Sequence, residues 1–435
     1  MTVESFRLEP RAFCLGETTV PGDKSISHRA VMLSSLAKGE SQVNGFLPST
    51  DCEATLKAFQ DLGVQIDRVD ANNVRIQGVG LRGLQEPNNA LDMGNSGTAM
   101  RLMAGILSGQ QFSSSLIGDQ SLSKRPMQRI QKPLHEMGAN IVSERNDTPP
   151  LLIQAVNNLS SIQYVLPVPS AQVKSCVLLA GLYAEGKTCV IESTPTRDHT
   201  ERMLQTFSYP VVIENSSVCI QGGQDLLASS IQVPGDISSA AFFIVAALIS
   251  KNASLTISNV GVNPTREGVI AILRSMGGNI EIKNKQKFGK EPVADIVVHS
   301  SELHAIEFPQ SLIANTIDEF PVLFIAAACA RGVTKLSGAN ELRIKESDRI
   351  ATMASGLKTL GVNVIEKPDG IEIEGGTFQG GEIDSHGDHR VAMAFSVASI
   401  RAQAAILIRD VSNVATSFPN FVETAASLGL KVTQH

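Results

Sequence analysis

The stretch V-P-G-D-K-S-I-S, Val20–Ser27, returns 213 residues later as V-P-G-D-I-S-S-A, Val233–Ala240. Each is a Pro-Gly-Asp turn, a small-polar opening followed by an apolar run with helical spacing. Similar small-polar openings stand at Met93-Gly94-Asn95-Ser96-Gly97, Val168-Pro169-Ser170-Ala171, Asn315-Thr316-Ile317-Asp318 and His386-Gly387-Asp388-His389. The markers Lys24, Asn95, Ser170, Asp236, Asp318 and Asp388 are separated by 71, 75, 66, 82 and 70 residues. Six units of about 72 residues therefore account for the 435-residue chain.

A second helix in each unit is marked by its ending. Leu62-Gly63-Val64, Met137-Gly138-Ala139, Met276-Gly277-Gly278, Leu360-Gly361-Val362 and Leu428-Gly429-Leu430 place Gly where a helix stops in the left-handed conformation. The third unit departs, with Phe207-Ser208-Tyr209-Pro210. Alternating strands follow, such as Val64-Gln65-Ile66 and Val74-Arg75-Ile76, so the unit reads helix–strand–helix–strand–strand. The sixth unit runs out after Leu430-Lys431-Val432, while strand-like Val3–Leu8 has no unit of its own. Pairing of these two segments would close one domain from both chain ends. The expected domains are residues 1–20 plus 236–435 (lower) and 21–235 (upper), three units each. The alternative is one continuous solenoid.

Composition limits the function. Charged residues are 18% of the chain, below the usual ~25%, so much of it should be buried. Lys plus Arg number 37 against 43 Asp plus Glu, for a net charge of -6. With 4% aromatics and no Trp, that excludes a broad nucleic-acid footprint. The longest apolar runs, Ala240–Ile249 and Val322–Ala330, fall short of the ~18 residues of a membrane span. The polar N-terminus, Met1-Thr2-Val3-Glu4-Ser5, lacks the layout of a signal peptide, and the expected location is the cytoplasm. Cys14, Cys52, Cys176, Cys189, Cys219 and Cys329 are scattered, with no C-x-x-C, and are expected to be buried reduced thiols. His28 and His389 lack metal-ligand spacing, and no G-x-x-x-x-G-K-[ST] or G-x-G-x-x-G is present.

Basic residues recur where the helices begin. The first unit has Lys24, Ser25 and Arg29; the second has Asn95, Gly97 and Arg101, then Lys124-Arg125-Pro126. The third has Ser170-Ala171-Gln172 with Lys174, then Arg197-Asp198-His199. The fifth has Asp318-Glu319 and Lys345-Glu346-Ser347-Asp348-Arg349; the sixth has Asp388-His389-Arg390. Helix N-termini attract anions, so cations repeated there point to a small, multiply anionic ligand. Singly, these motifs are more often a cap or a solvated helix face, with His389-Arg390 even between cap and site; the repetition carries the functional reading.

V-P-G-D-K-S-I-S-H-R (Val20–Arg29), G-N-S-G-T-A-M-R (Gly94–Arg101), K-R-P-M (Lys124–Met127), S-A-Q-V-K-S (Ser170–Ser175), R-I-K-E-S-D-R (Arg343–Arg349) and G-D-H-R (Gly387–Arg390) closely resemble the 5-enolpyruvylshikimate-3-phosphate (EPSP) synthase family. The resemblance spans essentially the whole chain. It implies an α/β fold of two inside-out barrel domains, each of three repeats, with the active site in the cleft between them. The activity it implies is transfer of the enolpyruvyl group of phosphoenolpyruvate to the 5-hydroxyl of shikimate 3-phosphate, releasing phosphate, in the shikimate pathway to the aromatic amino acids. It further implies a glyphosate target that works as a monomer on small molecules, with no cofactor and no metal.

By the same resemblance, Lys24, Ser25, Arg29, Ser170, Ala171, Gln172, Arg197, Asp318 and Lys345 bind shikimate 3-phosphate. Lys24, Asn95, Gly97, Arg125, Gln172, Arg349 and Arg390 bind phosphoenolpyruvate, Arg offering carboxylate and phosphate a planar two-pronged match. Asp318 is the candidate base at the hydroxyl, with Lys24 and Glu346 the candidates for proton donation and return. The chain departs from the family at Thr416-Ser417-Phe418-Pro419, where many members have Lys before Phe-Pro, and at Glu341, where some have Asn. Arg197–Glu201 resembles the glyphosate-tolerant subgroup and Gly97 the sensitive one. Two other readings are a UDP-N-acetylglucosamine enolpyruvyl transferase and a non-catalytic anion-binding repeat protein. Against the first, no Cys lies between Cys52 and Cys176, where that relative usually carries one.

Overall fold

The computed structural model describes residues 4–11 and 16–435, which leaves Val3 and Cys14 outside the described residues. The chain forms two units: one of Gly22–Val233 with Lys287–Glu291, the other of Met1–Pro21, Pro234–Gln286 and Pro292–His435. Both crossings fall inside the twin Val-Pro-Gly-Asp turns. Lys287–Glu291, the tip of the hairpin Asn279–Phe288/Glu291–His299, joins the first unit. There Glu291 pairs with His199 at 2.8 Å, and Arg202 donates to the Lys290 carbonyl at 3.0 Å.

The Gly22–Val233 unit contains the helix pairs α1 (Lys24–Leu36) and α2 (Thr50–Asp61), α3 (Gly97–Leu107) and α4 (Gln128–Glu136), α5 (Ala171–Gly181) and α6 (His199–Thr206). The other unit contains α7 (Ile237–Ile249) and α8 (Gly268–Ser275), α9 (Phe320–Ala328) and α10 (Arg349–Thr359), α11 (His389–Ala398) and α12 (Phe421–Ser427). The first helix of each pair is largely buried beyond its opening residues, and its charged side chains, such as Lys24, Arg29, Lys174 and Arg390, lie in its first half. All residues of α7 (ISSAAFFIVAALI) and α9 are buried. The sheets lie outside them, one face packed on the helices and one exposed, and each unit has its own hydrophobic core. Asp23, Ser96, Ser170, Asp236 and Asp388 cap their helices through side-chain oxygens. The second helices end at Gly63, Gly138, Gly277, Gly361 and Gly429, all with φ between 83° and 106°. Ser208, at φ 60°, takes that place after α6.

Strand pairing closes each set of three repeats into a ring. The last strand of one repeat runs parallel to the first strand of the next: Leu91–Asp92 with Ser114–Ile117, and Gln163–Val165 with Lys187–Ile191. Ser230–Gln232, leaving the third repeat, returns to pair with Ala37–Asn44 of the first. In the other unit Ser5–Glu9 lies antiparallel between Ile406–Arg409 and Lys431–Gln434, with Leu8 opposite Val432. The N-terminal strand supplies the one that the sixth repeat lacks. Gly16–Thr18 then runs parallel to Ser254–Gly261 and completes the second ring.

One expectation is corrected. Cys189 and Cys219 form a disulfide, while Cys52, Cys176 and Cys329 are free. The two cysteines sit directly opposite in the antiparallel pair Lys187–Ile191/Ser217–Gln221, with Cα atoms 4.1 Å apart. Thirty residues separate them in sequence, and strand register alone brings them together.

Candidate functional site

In the Gly22–Val233 unit, the start of α1 is fixed by the Asp23 side chain, which accepts from the Ile26 N–H at 2.9 Å. This puts Lys24 at the first helical position, where its Nζ meets Asp51 at 2.9 Å with both side chains mostly enclosed. Arg29 lies just over a turn later, only 4% exposed. Its Nε donates to Thr200 Oγ1 at 2.7 Å, Nη1 to the Ser25 carbonyl at 2.9 Å and Nη2 to Ser175 Oγ at 2.8 Å. Burial lowers its pKa to about 10, with the nearby Glu201 carboxylate working the other way. His28, beside them, bonds Thr55 at 2.7 Å and Ser96 at 3.3 Å. Burial, reinforced by Lys24 and Arg29, holds its pKa down at about 3, so the ring is neutral.

The other helix starts are tied to this one. Ser96 caps α3 and, through His28, links it to α1. Asn95 Oδ1 accepts from Arg125 Nη2 at 2.8 Å while its Nδ2 donates to Asp119 at 2.7 Å. Arg101 Nη1 donates to Gln172 Oε1 at 2.9 Å, and Gln172 Nε2 donates to Thr98 Oγ1 at 2.9 Å, joining α3 to α5. Ser170 caps α5 and precedes Ala171 and Gln172; Arg197 stands just before α6. Lys24, Ser25, Arg29, Asn95, Gly97, Arg125, Ser170, Ala171 and Gln172 thus stand at helix N-termini linked by hydrogen bonds, and Arg197 is near enough for its charge to act on Arg29.

In the other unit the cluster forms around Arg349, the first residue of α10, whose side chain is 1% exposed. Its Nε donates to Asp388 Oδ2 at 2.8 Å, its Nη2 to Glu346 Oε2 at 2.6 Å, and its Nη1 lies 3.5 Å from Asp318 Oδ1. Burial opposes its charge, but Asp388, Glu346 and Asp318 outweigh that and raise its pKa. Arg390 Nη1 donates to the Asp318 carbonyl at 2.9 Å, and its Nη2 lies 3.9 Å from the Asp318 carboxylate. Burial lowers the pKa of Lys345, against the pull of Asp318. Asp318, Lys345, Glu346, Arg349 and Arg390 are therefore assembled on helix starts as well. Thr416 donates to the Asn413 carbonyl at 2.7 Å within its own turn.

Several participants escaped the sequence reading. Asp51 and Asp119 lie on the connections and second helices, and Asp388 was visible only as a cap, not as the buried partner of Arg349. Thr200 falls in the basic-acidic run after Arg197, yet its bond to Arg29 spans 171 residues. Among the described residues, no group of three or more His, Cys, Asp or Glu is placed to hold a metal, and no helix is long and apolar enough to cross a membrane.

The architecture matches a wider class. The solved enolpyruvyl transferase NikO from Streptomyces tendae superposes with a TM-score of 0.81, covering 100% of this chain and 99% of that one, at 14% identity. At that identity the likeness shows the fold alone, a two-domain α/β barrel. The family model for EPSP synthase (3-phosphoshikimate 1-carboxyvinyltransferase) matches residues 9–425, and the chain belongs to that family. A 3-phosphoshikimate 1-carboxyvinyltransferase of Methylococcus capsulatus is 56% identical over 427 residues, 98% of each chain. The solved EPSP synthase of Acinetobacter baumannii is 51% identical, with a TM-score of 0.89 over 99% of this chain and 100% of that one.

Proposed function

We propose that Asp318, Glu346 and Lys24 carry the proton transfers of the family's reaction, while the surrounding cations hold its two anionic substrates. The reaction transfers the enolpyruvyl group of phosphoenolpyruvate to the 5-hydroxyl of shikimate 3-phosphate and releases phosphate, a step of aromatic amino acid biosynthesis. The hydroxyl oxygen bonds to C2 of phosphoenolpyruvate as C3 takes a proton. Phosphate then leaves C2 and C3 returns the proton, restoring the double bond. The observation that carries the assignment is that Asp318 and Glu346 both meet the Arg349 guanidinium, at 3.5 and 2.6 Å. Asp318 is the base at the hydroxyl, and Glu346 with Lys24 serves C3.

Lys24, Ser25, Arg29, Ser170, Ala171, Gln172, Arg197, Asp318 and Lys345 contact shikimate 3-phosphate in this reading. Lys24, Asn95, Gly97, Arg125, Gln172, Arg349 and Arg390 contact phosphoenolpyruvate. Guanidinium groups fixed beforehand by buried partners cost no reorganisation when an anion arrives. The enzyme acts as a monomer in the cytoplasm. In the test, Asp318→Ala retains shikimate 3-phosphate binding by calorimetry but loses turnover by about 10²–10⁴, the usual range of general acid–base catalysis. Normal turnover in that variant would remove Asp318 from the role of base.

A further inference from the structure

Arg29 has a locked edge. Its five N–H groups form a fixed fork. Three of them are spent inside the protein, on Thr200 Oγ1, Ser175 Oγ and the Ser25 carbonyl. The Thr200 hydroxyl in turn donates to Ser175 Oγ at 2.7 Å, closing a ring of Arg29 Nε, Arg29 Nη2 and the two hydroxyls. The pair that remains, one N–H on each terminal nitrogen, suits two oxygens of a single carboxylate or phosphate.

The hydroxyls are themselves held rigidly. Ser175 follows Lys174 on α5, and Thr200 precedes Glu201 on α6. Lys174 Nζ lies 2.7 Å from Glu201 and 2.8 Å from Glu192, with the Lys174 and Glu201 side chains 1% and 2% exposed. Lys174 also donates to the Thr196 carbonyl at 3.3 Å, and Thr196 Oγ1 bonds Glu192. A buried ion cluster of this kind fixes α5 against α6 at the level of Ser175 and Thr200. The Glu201 carboxylate favours the charge of the buried Arg29.

We propose that Thr200 and Ser175 are positioning residues for shikimate 3-phosphate binding: they immobilise the inner edge of Arg29 so that its terminal edge meets an anionic group of that substrate. The ion cluster Lys174–Glu192–Glu201 is the frame that sets their spacing. The inference rests on the reading of Arg29 as a shikimate 3-phosphate contact. Thr200→Val keeps the shape and removes the hydroxyl, whereas Thr200→Ser keeps the hydroxyl and loses only the methyl group.

The experiment measures the calorimetric Kd for shikimate 3-phosphate, KM for each substrate and kcat for both variants, for Arg29→Lys, and for Thr200→Val combined with Arg29→Lys. A lost hydrogen bond to a charged group predicts about a tenfold rise in Kd and KM for shikimate 3-phosphate in Thr200→Val. KM for phosphoenolpyruvate and kcat stay within about twofold, and Thr200→Ser binds like the unaltered protein. On the Arg29→Lys background, Thr200→Val adds little, because the group it positions is gone. An unchanged Kd in folded Thr200→Val overturns the proposal, as does a tenfold effect that persists with Arg29→Lys. If Arg29→Lys itself leaves Kd unchanged, the assignment of Arg29 fails first and the positioning role with it. Should Thr200→Val not fold, Ser175→Ala is judged by the same outcomes.

Discussion

Asp388 holds the Arg349 cluster and the start of α11 together. Its carboxylate is 0% exposed and does two things at once: Oδ2 accepts from Arg349 Nε at 2.8 Å, and Oδ1 accepts from the Arg390 N–H at 2.9 Å, capping α11. Removing one partner of a buried ion pair costs about 3–5 kcal/mol, because the other charge stays behind in a poor solvent. Glu346 and Asp318 remain beside Arg349, which puts the expected cost at the lower end, about 3 kcal/mol. Asn is as good an N-cap as Asp, so Asp388→Asn isolates the ion-pair contribution. Asp388→Ala loses the cap as well and adds about 1 kcal/mol. Domains of ordinary stability, about 5–15 kcal/mol, stay folded with such losses. Urea unfolding followed by circular dichroism, fitted with a common slope, reads both differences. A loss below 1 kcal/mol in Asp388→Asn would refute the claim that Arg349 depends on this carboxylate. Equal values for the Asn and Ala variants would refute the capping role. Because Arg349 is a phosphoenolpyruvate contact in the proposed mechanism, KM for phosphoenolpyruvate should rise alongside.

Gly97→Ala should raise KM for phosphoenolpyruvate several-fold while shikimate 3-phosphate binding holds. A Cβ there would stand 2.7 Å from Arg101 Nη1 and 3.3 Å from Arg125 Nη1, pressing on the bond that Arg101 makes to Gln172. Unchanged kinetics would mean that Arg101 swings aside freely. His28 gives a pH prediction. Its pKa is about 3 when folded and about 6.5 when unfolded, so the unfolded chain takes up the proton first as pH falls. The contribution is neutral above pH ~6.5, then costs about 1.4 kcal/mol per pH unit on the way down to pH ~3. Between pH 7.5 and 5.5, His28→Gln should therefore lose roughly 1 kcal/mol less stability than the unaltered protein. Parallel stability curves would contradict a neutral buried ring.

Much of this was visible in the chain before folding, for local reasons. An Asp or Ser cap and a terminating Gly are properties of a few consecutive residues, so six repeats could be counted from Lys24 to Asp388. The missing strand after Leu430 could be matched to the N-terminus because a three-repeat ring needs its full complement of strands. The partners of the site residues were hidden for the opposite reason. Thr200 and Ser175 matter only because α5 and α6 bring their hydroxyls to Arg29, at separations of 171 and 146 residues. The Cys189–Cys219 bond depends on strand register, which sparse cysteine spacing does not encode. The net charge of -6 pointed away from an anionic ligand, since it sums a whole surface, whereas the cations are gathered at the helix starts.

The most direct test of the central claim is phosphate release from phosphoenolpyruvate with each candidate acceptor. Sustained release is expected with shikimate 3-phosphate and none with UDP-N-acetylglucosamine. Release with the sugar nucleotide alone would contradict that claim.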